Sequence, residues 1–130
     1  MSRLNMIMNN EKQIPTMSVS AKKIKDGYIS MIGKFDDYIN KRNYVKEVKH
    51  GIIYIKKTSL GSKTLTVLTH GKQVVNFSKY GENGTFIWNL RESSTTRVYC
   101  FKSFYVYKDK NGKECYVYSD MNEVSIDSLS

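Results

Sequence analysis

The feature that most constrains the fold of this chain is the pair Asn111-Gly112, which separates two runs rich in tyrosine and β-branched residues. Asn-Gly between alternating apolar residues is the strongest short-range signal for a β-hairpin. The runs over residues 96–108 and 113–119 are therefore predicted to pair as antiparallel strands. Because side chains alternate between the two faces of a strand, the register of this hairpin decides which residues share a face.

A two-residue turn at Asn111-Gly112 sorts the hairpin into an aromatic face and an aliphatic face. It predicts three cross-strand pairs: Lys110 with Lys113, Tyr107 with Tyr116, and Tyr105 with Tyr118. The aromatic face then carries Tyr99, Phe101, Tyr105, Tyr107, Tyr116 and Tyr118. The other face, which we interpret as the core side, carries Val98, Cys100, Phe104, Val106, Cys115 and Val117. A type I turn with Gly112 in a β-bulge is the alternative, and it would shift the pairing by one residue and mix the faces.

Upstream of the hairpin, residues 20–43 have the apolar spacing of an amphipathic helix. Ser20 is a good N-cap residue, and the chain shows no further helical periodicity after about Asn43. The stripe consists of Ile24, Tyr28, Met31, Ile32, Phe35 and Ile39. We therefore expect one amphipathic helix at the N-terminal side of the fold.

The remaining segments are predicted to be strands, because β-branched or aromatic runs alternate there with turn clusters. They cover residues 52–58, 63–69, 72–78, 85–90, 96–108 and 113–119. Connections this short favour antiparallel neighbours. The predicted fold class is α+β, with the N-terminal amphipathic helix packed on a curved antiparallel β-meander of about five to seven strands.

The domain organisation that follows has three parts. Residues 1–18 are expected to form a flexible N-terminal arm, residues 19–119 a single α+β domain, and residues 120–130 an acidic C-terminal tail. Within the tail, Val124 and Ile126 alternate with polar residues, so a short edge strand is an alternative for this segment.

The charge of the chain favours an anionic partner. The net charge is +9, and all 21 lysines and arginines precede residue 114, whereas the last 17 residues hold four acids and no base. A basic body is typical of proteins that bind nucleic acid or an acidic protein. The abundance of lysine, asparagine, isoleucine and tyrosine matches AT-rich codons, which favours a phage or mobile-element accessory factor.

The sequence contains no recognisable cofactor, metal or membrane signature. Two cysteines and two histidines at wide spacing match no usual zinc pattern, and no apolar stretch has the length of a membrane span. The predicted hairpin register separates Cys100 from Cys115, so both are expected to be free thiols in a reducing, cytoplasmic compartment. We expect no cofactor, no metal and no membrane partner, and the oligomeric state is open.

The predicted aromatic face is the candidate binding site. Tyrosine rings stack on bases and nearby lysines neutralise phosphates, which is the chemistry of single-strand binding surfaces. The lysines expected beside the aromatic residues are Lys102, Lys108, Lys110 and Lys113. The opposing interpretation is that these tyrosines are good strand formers that cover a half-exposed sheet.

Three functions compete on this evidence. The first is a non-enzymatic protein that engages nucleic acid or a nucleoprotein through the tyrosine and lysine side chains. The second is a protein-binding inhibitor or assembly subunit, such as an anti-defence factor, which uses the same aromatic surface against an acidic partner. The third is a small ribonuclease with His50 and His70 as its acid and base. Because each histidine precedes a glycine at a predicted turn, we expect neither to be catalytic.

Overall fold

The chain folds mostly as antiparallel β-sheet, arranged in two sheets. The computed structural model describes residues 12–129, so most of the predicted arm over 1–18 lies outside the described residues. The first sheet has the order β1-β2-β5, formed by Met17–Lys22, Tyr28–Phe35 and Thr85–Arg91. The second sheet has the order β4-β3-β6-β7, formed by Gln73–Phe77, Glu47–Lys56, Tyr99–Lys108 and Glu114–Tyr118, with β8 (Asn122–Val124) also paired to β6.

Helical segments within residues 12–129 are short. A 3₁₀ helix over Tyr38–Asn43 connects β2 to β3, and a single α-helical turn, α1, covers Lys57–Leu60 after β3. Two further 3₁₀ turns lie at Glu82–Gly84 and Asp127–Leu129. The sheets therefore provide nearly all of the scaffold.

The predicted amphipathic helix over residues 20–43 is wrong. This stretch forms the end of β1, a turn at Gly27 (φ 82°), all of β2 and the 3₁₀ helix. Apolar residues at 29, 31 and 35 also fit the two-residue period of a strand, and that pattern is the one that is buried. Two members of the helical stripe, Ile24 and Ile39, are exposed instead. Isoleucine and glycine are weak helix formers, so pairing with β1 and β5 prevails.

The five-stranded sheet is covered on both faces, which divides the core into two layers. Its inner face packs on the first sheet, where Phe101 and Tyr105 of β6 meet Met31 and Phe35 of β2. Its outer face is covered by residues 57–72, which bring Leu60 and Leu65 onto the sheet. The strand predicted over 63–69 is therefore absent, and these residues form turns that act as a cover.

The hairpin at Asn111-Gly112 forms, but the predicted register is wrong by one residue. Tyr107 lies opposite Cys115 and Tyr105 opposite Val117. Gly112 has φ 81°, and its N–H donates to the carbonyl of Asp109 at 2.9 Å. Asp109 Oδ1 accepts the N–H groups of Asn111 and Lys113 at 2.8 and 2.9 Å, which adds a residue to the loop. This is the glycine-bulge alternative, and it distributes the aromatic residues over both faces of the sheet.

The C-terminal segment packs against the body. Asn122–Val124 pairs with β6, so that Tyr99 lies opposite Val124. Val124 and Ile126 are buried in the inner core. The packed part of the chain therefore extends past the predicted domain, which ends at residue 119. At the N-terminal end it includes Met17, which precedes the predicted start at residue 19.

Glu92 forms hydrogen bonds that link the end of β5 in the first sheet to β6 in the second. It follows β5, and its side chain is 4% exposed. Its carboxylate accepts hydrogen bonds from Tyr99 Oη at 2.6 Å, Arg97 Nη1 at 2.9 Å and the N–H of Ser94 at 3.2 Å. Burial alone would raise the pKa of Glu92, but these donors outweigh it and lower the pKa to about 2.

Gly33 of β2 is required by close packing. It lies opposite Phe86 of β5, and a Cβ at this position would lie 2.2 Å from Phe86 Cε2. The Phe86 ring cannot yield easily, because it is buried against His50, Phe77 and Tyr80. The glycine thus allows an aromatic ring to lie across the strand.

We predict that Gly33→Ala lowers the free energy of unfolding by about 1 to 3 kcal/mol, the usual cost of overpacking a core. Urea denaturation measures the change. In the Phe86→Leu background the same substitution should cost less, because the clashing ring is gone, and a double-mutant cycle gives this coupling. Additive effects of the two changes would contradict the proposed clash.

We predict that Glu92 makes stability depend on acid pH. Because its folded pKa is about 2 and an unfolded glutamate titrates near 4.5, its contribution is complete above about pH 4.5 and is lost as the pH falls toward 2. The loss is on the order of 3 kcal/mol. Urea denaturation from pH 6 to pH 2 should show a shallower fall for Glu92→Gln than for the unmodified chain, and parallel curves would contradict it.

Candidate functional site

Two tyrosines stack on each other on the outer face of the five-stranded sheet. Tyr116 and Tyr118 are two residues apart in β7, so they project from the same face. Their ring centroids are 6.0 Å apart, with an angle of 18° between the ring planes. Both side chains are half-buried, which leaves part of each ring accessible.

Each of these tyrosines carries a lysine ammonium over its ring. Lys49 Nζ of β3 lies 5.8 Å from the centroid of Tyr116, and Lys102 Nζ of β6 lies 5.4 Å from that of Tyr118. Both distances are within the range of a cation–π interaction. We call these four residues the tyrosine–lysine patch. Three strands supply it, so its geometry depends on the pairing of β3, β6 and β7.

The cover over residues 57–72 borders the patch. The N–H of Val67 donates to the Tyr118 hydroxyl at 3.1 Å. Burial raises the pKa of Tyr118, which outweighs the lowering by this hydrogen bond. The hydroxyl therefore stays neutral at physiological pH. The next residue, Leu68, is 89% exposed, so a large apolar side chain lies beside the patch.

The structure separates the predicted site residues into three groups. Tyr116, Tyr118 and Lys102 come together in the patch. Lys108, Lys110 and Lys113 are exposed at the hairpin end. The other aromatic residues lie on the inner face, where Tyr99, Phe101 and Tyr105 are buried and Tyr107 is half-buried. The predicted six-residue aromatic face is therefore wrong, because the bulge at Gly112 moves β7 by one residue relative to β6.

Lys49 belongs to the patch, although no local pattern in the sequence indicates it. It precedes His50-Gly51 and lies opposite Val106 of β6, more than fifty residues later in the chain. The pairing also contains a β-bulge between Glu47 and Lys49. Only the order of strands in the sheet reveals that Lys49 reaches Tyr116.

A second polar cluster lies inside the sandwich, centred on His50. His50 Nδ1 is 2.8 Å from Glu47 Oε2, and His50 Nε2 is 3.0 Å from the carbonyl oxygen of Lys79. The Tyr80 hydroxyl donates to Glu47 Oε1, and the Tyr80 ring stacks on His50 with centroids 3.8 Å apart. Both ring nitrogens of His50 therefore have a protein partner, the Glu47 carboxylate at Nδ1 and the Lys79 carbonyl at Nε2.

Burial and hydrogen bonding fix the charges in this cluster. Burial would raise the pKa of Glu47, but the hydrogen bonds from His50 and Tyr80 prevail and lower it. Burial and the bond to Glu47 both raise the pKa of Tyr80, so the phenol keeps its proton. The cluster thus joins β3 to the segment after β4 through hydrogen bonds and ring stacking.

The two histidines do not form the pair required by the ribonuclease hypothesis. His50 is 1% exposed, and protein atoms occupy both of its ring nitrogens. His70 is exposed and lies in the segment that covers the outer face, whereas His50 points into the sandwich. The geometry gives no support to a shared acid–base site.

Other site chemistry is sparse in the part of the chain that the structure describes. Among residues 12–129, no group of three or more His, Cys, Asp or Glu side chains is arranged to hold a metal ion. Cys100 is a buried free thiol, and Cys115 is a half-buried one. Within the same residues, no helix combines the length and apolar character needed to span a bilayer.

Comparison with known proteins identifies no relative. No protein-family model matches the sequence, and neither the curated proteins nor the solved structures contain a match.

We predict different consequences for the two histidines. His50→Phe should lower the free energy of unfolding by about 1 to 3 kcal/mol, because it leaves the Glu47 carboxylate and the Lys79 carbonyl without the hydrogen-bond partner that His50 provides. His70→Ala, an exposed change in a turn, should stay within about 0.5 kcal/mol of the unmodified protein. Urea denaturation at neutral pH measures both. Equal stability of the two variants would contradict a stabilising role of the His50 hydrogen bonds.

Proposed function

We propose that this protein is a small, basic, non-enzymatic binding protein that engages single-stranded nucleic acid through the tyrosine–lysine patch. The observation that supports this most directly is the pairing of both tyrosine rings of the patch with a lysine ammonium. Ring faces for bases beside cations for phosphates are the elements of a single-strand binding surface.

Binding at the patch replaces a cation–π interaction by base stacking. Lys49 and Lys102 lie over the rings of Tyr116 and Tyr118, in positions that a stacked base would take. A base that stacks on a tyrosine therefore displaces the ammonium, which is then free to contact the neighbouring phosphate. Lysine is suited to this exchange because its ammonium sits on a flexible four-carbon stem.

The surroundings of the patch extend the positive surface. Lys108 of β6 has the same alternation as Lys102 and is exposed, and Lys110 and Lys113 follow in the hairpin loop. The chain has 17 lysines and four arginines. Lysine attracts phosphate as a point charge, whereas arginine is the side chain suited to bidentate hydrogen bonds with a base, so we expect phosphate contacts to dominate. We therefore expect strong salt dependence and little sequence preference.

Replacing Tyr116 or Tyr118 by alanine should weaken binding of a single-stranded oligonucleotide by about 1 to 3 kcal/mol per lost stack. Lys49→Ala and Lys102→Ala should each reduce the slope of log K against log salt by about one. Fluorescence anisotropy with a labelled oligonucleotide at several salt concentrations measures both effects.

The chain offers a matched control for this experiment. Lys25 Nζ lies 4.5 Å from the centroid of the Tyr28 ring, which is the same pairing at the start of β2 in the other sheet. Tyr28→Ala and Lys25→Ala should leave the affinity unchanged. If the patch variants bind like the unmodified protein while circular dichroism shows them folded, the patch is not the binding site.

A protein partner is the second candidate, favoured by the exposure of Leu68 beside the tyrosines. An apolar side chain next to two aromatic rings is typical of an interface anchor, and the basic body would then meet an acidic partner. Leu68→Asp separates the two functions. It should weaken nucleic-acid binding only slightly, through its charge, but should abolish binding of a protein that covers Leu68.

A further inference from the structure

A groove at one end of the sandwich has the composition of a ligand site. It lies between the 3₁₀ helix over Tyr38–Asn43 and the beginning of β3, and its cavity volume is about 740 Å³. Volumes of this size are usual for small-molecule sites. Tyr44, Val45 and Tyr105 form its apolar surface. The groove opens on the inner side of the five-stranded sheet, away from the tyrosine–lysine patch.

The rim of the groove is strongly cationic. It is formed by Lys12, Lys41, Arg42 and Lys46. Within residues 12–129, none of these four side chains forms an ion pair with a carboxylate within 4.0 Å. Lys12 Nζ instead donates to the carbonyl of Arg42 at 2.9 Å, which holds both residues on the same side of the groove. Lys41 Nζ lies 5.4 and 4.9 Å from the centroids of the Tyr38 and Tyr80 rings. Glu47 is the one acid among the lining residues, so the groove carries a net positive charge that favours an anionic ligand.

The groove also contains one hydrogen-bond acceptor in a fixed position. Glu47 lines it, and His50 and Tyr80 hold the carboxylate from the inner side. Each carboxylate oxygen has a second lone pair, so Glu47 can accept a further hydrogen bond from a ligand. The Tyr44 ring is fixed as well, because its hydroxyl donates to Asp37 Oδ2 at 2.6 Å.

We propose that this groove binds a nucleotide unit, with its phosphate at the rim cations, its base against Tyr44 and an amino group of the base donating to Glu47. A phosphate alone would leave the apolar surface and the carboxylate unused, and a neutral ring compound would leave the net positive charge of the rim unneutralised. The unit is either a free mononucleotide or the phosphorylated end of a strand. This site does not depend on the tyrosine–lysine patch.

Isothermal titration calorimetry with AMP tests the proposal, because adenine carries the required amino group. Adenosine, which lacks the phosphate, and ribose 5-phosphate, which lacks the base, should each bind at least about tenfold more weakly than AMP. Arg42→Ala and Lys46→Ala should each weaken AMP binding by about tenfold or more, since each removes a charge-assisted hydrogen bond. Arg91→Ala and Lys56→Ala are matched controls on other exposed elements and should leave it unchanged.

Two oligonucleotides that differ only in a 5′-phosphate distinguish the sources of the ligand. If the groove takes a strand end, the phosphorylated oligonucleotide binds more tightly, and Arg42→Ala removes that preference. If it takes free nucleotides, AMP binds and the terminal phosphate has no effect. The proposal is overturned if AMP shows no saturable binding at millimolar concentration and the 5′-phosphate makes no difference. It is also overturned if adenosine binds as tightly as AMP.

Discussion

The fold depends on the burial of β6 on both faces. Phe101 and Tyr105 project to one side and Phe104 and Val106 to the other, and all four side chains are removed from water. A strand with two apolar faces requires two covers. The first sheet supplies one and residues 57–72 supply the other, so the chain forms three layers around a single strand. The patch lies where the second cover ends and the sheet becomes accessible.

Double burial also explains which parts of the fold could be predicted. The positions of β4, β5, β6 and β7 follow from their β-branched and aromatic runs, and the hairpin follows from Asn111-Gly112. The register of the hairpin does not follow from the sequence pattern. Because apolar residues lie on both faces of the strands, either register places apolar side chains on both faces. Hydrogen bonds of the Asp109 side chain decide it. Residues 28–35 are ambiguous in another way, because their apolar residues fit both a helical and a strand period, and pairing with β1 and β5 selects the strand.

The candidate site could be predicted only where it is local in sequence. Tyr116 and Tyr118 share a face in any strand, so their proximity was predictable. Lys49 reaches them through β3–β6 pairing, and Glu47, His50 and Tyr80 meet through contacts between distant segments. The expectation that aromatic residues mark one exposed surface failed for Tyr99, Phe101 and Tyr105, which fill the inner core. The side chains of these three residues fill the interior of the sandwich, so fewer aromatic residues are accessible than the sequence pattern predicted.

The cover over residues 57–72 serves two parts of the molecule at once. Leu60 and Leu65 close the outer core, whereas Val67 holds the Tyr118 hydroxyl through its backbone N–H. A molecule that binds Tyr118 therefore acts on a segment whose detachment would expose the core. If a ligand binds the patch as proposed, its binding is linked to local opening of this segment, and amide protection in residues 57–72 would then report on binding even where the ligand does not touch them. In this protein the tyrosine–lysine patch and part of the hydrophobic core depend on the same stretch of backbone.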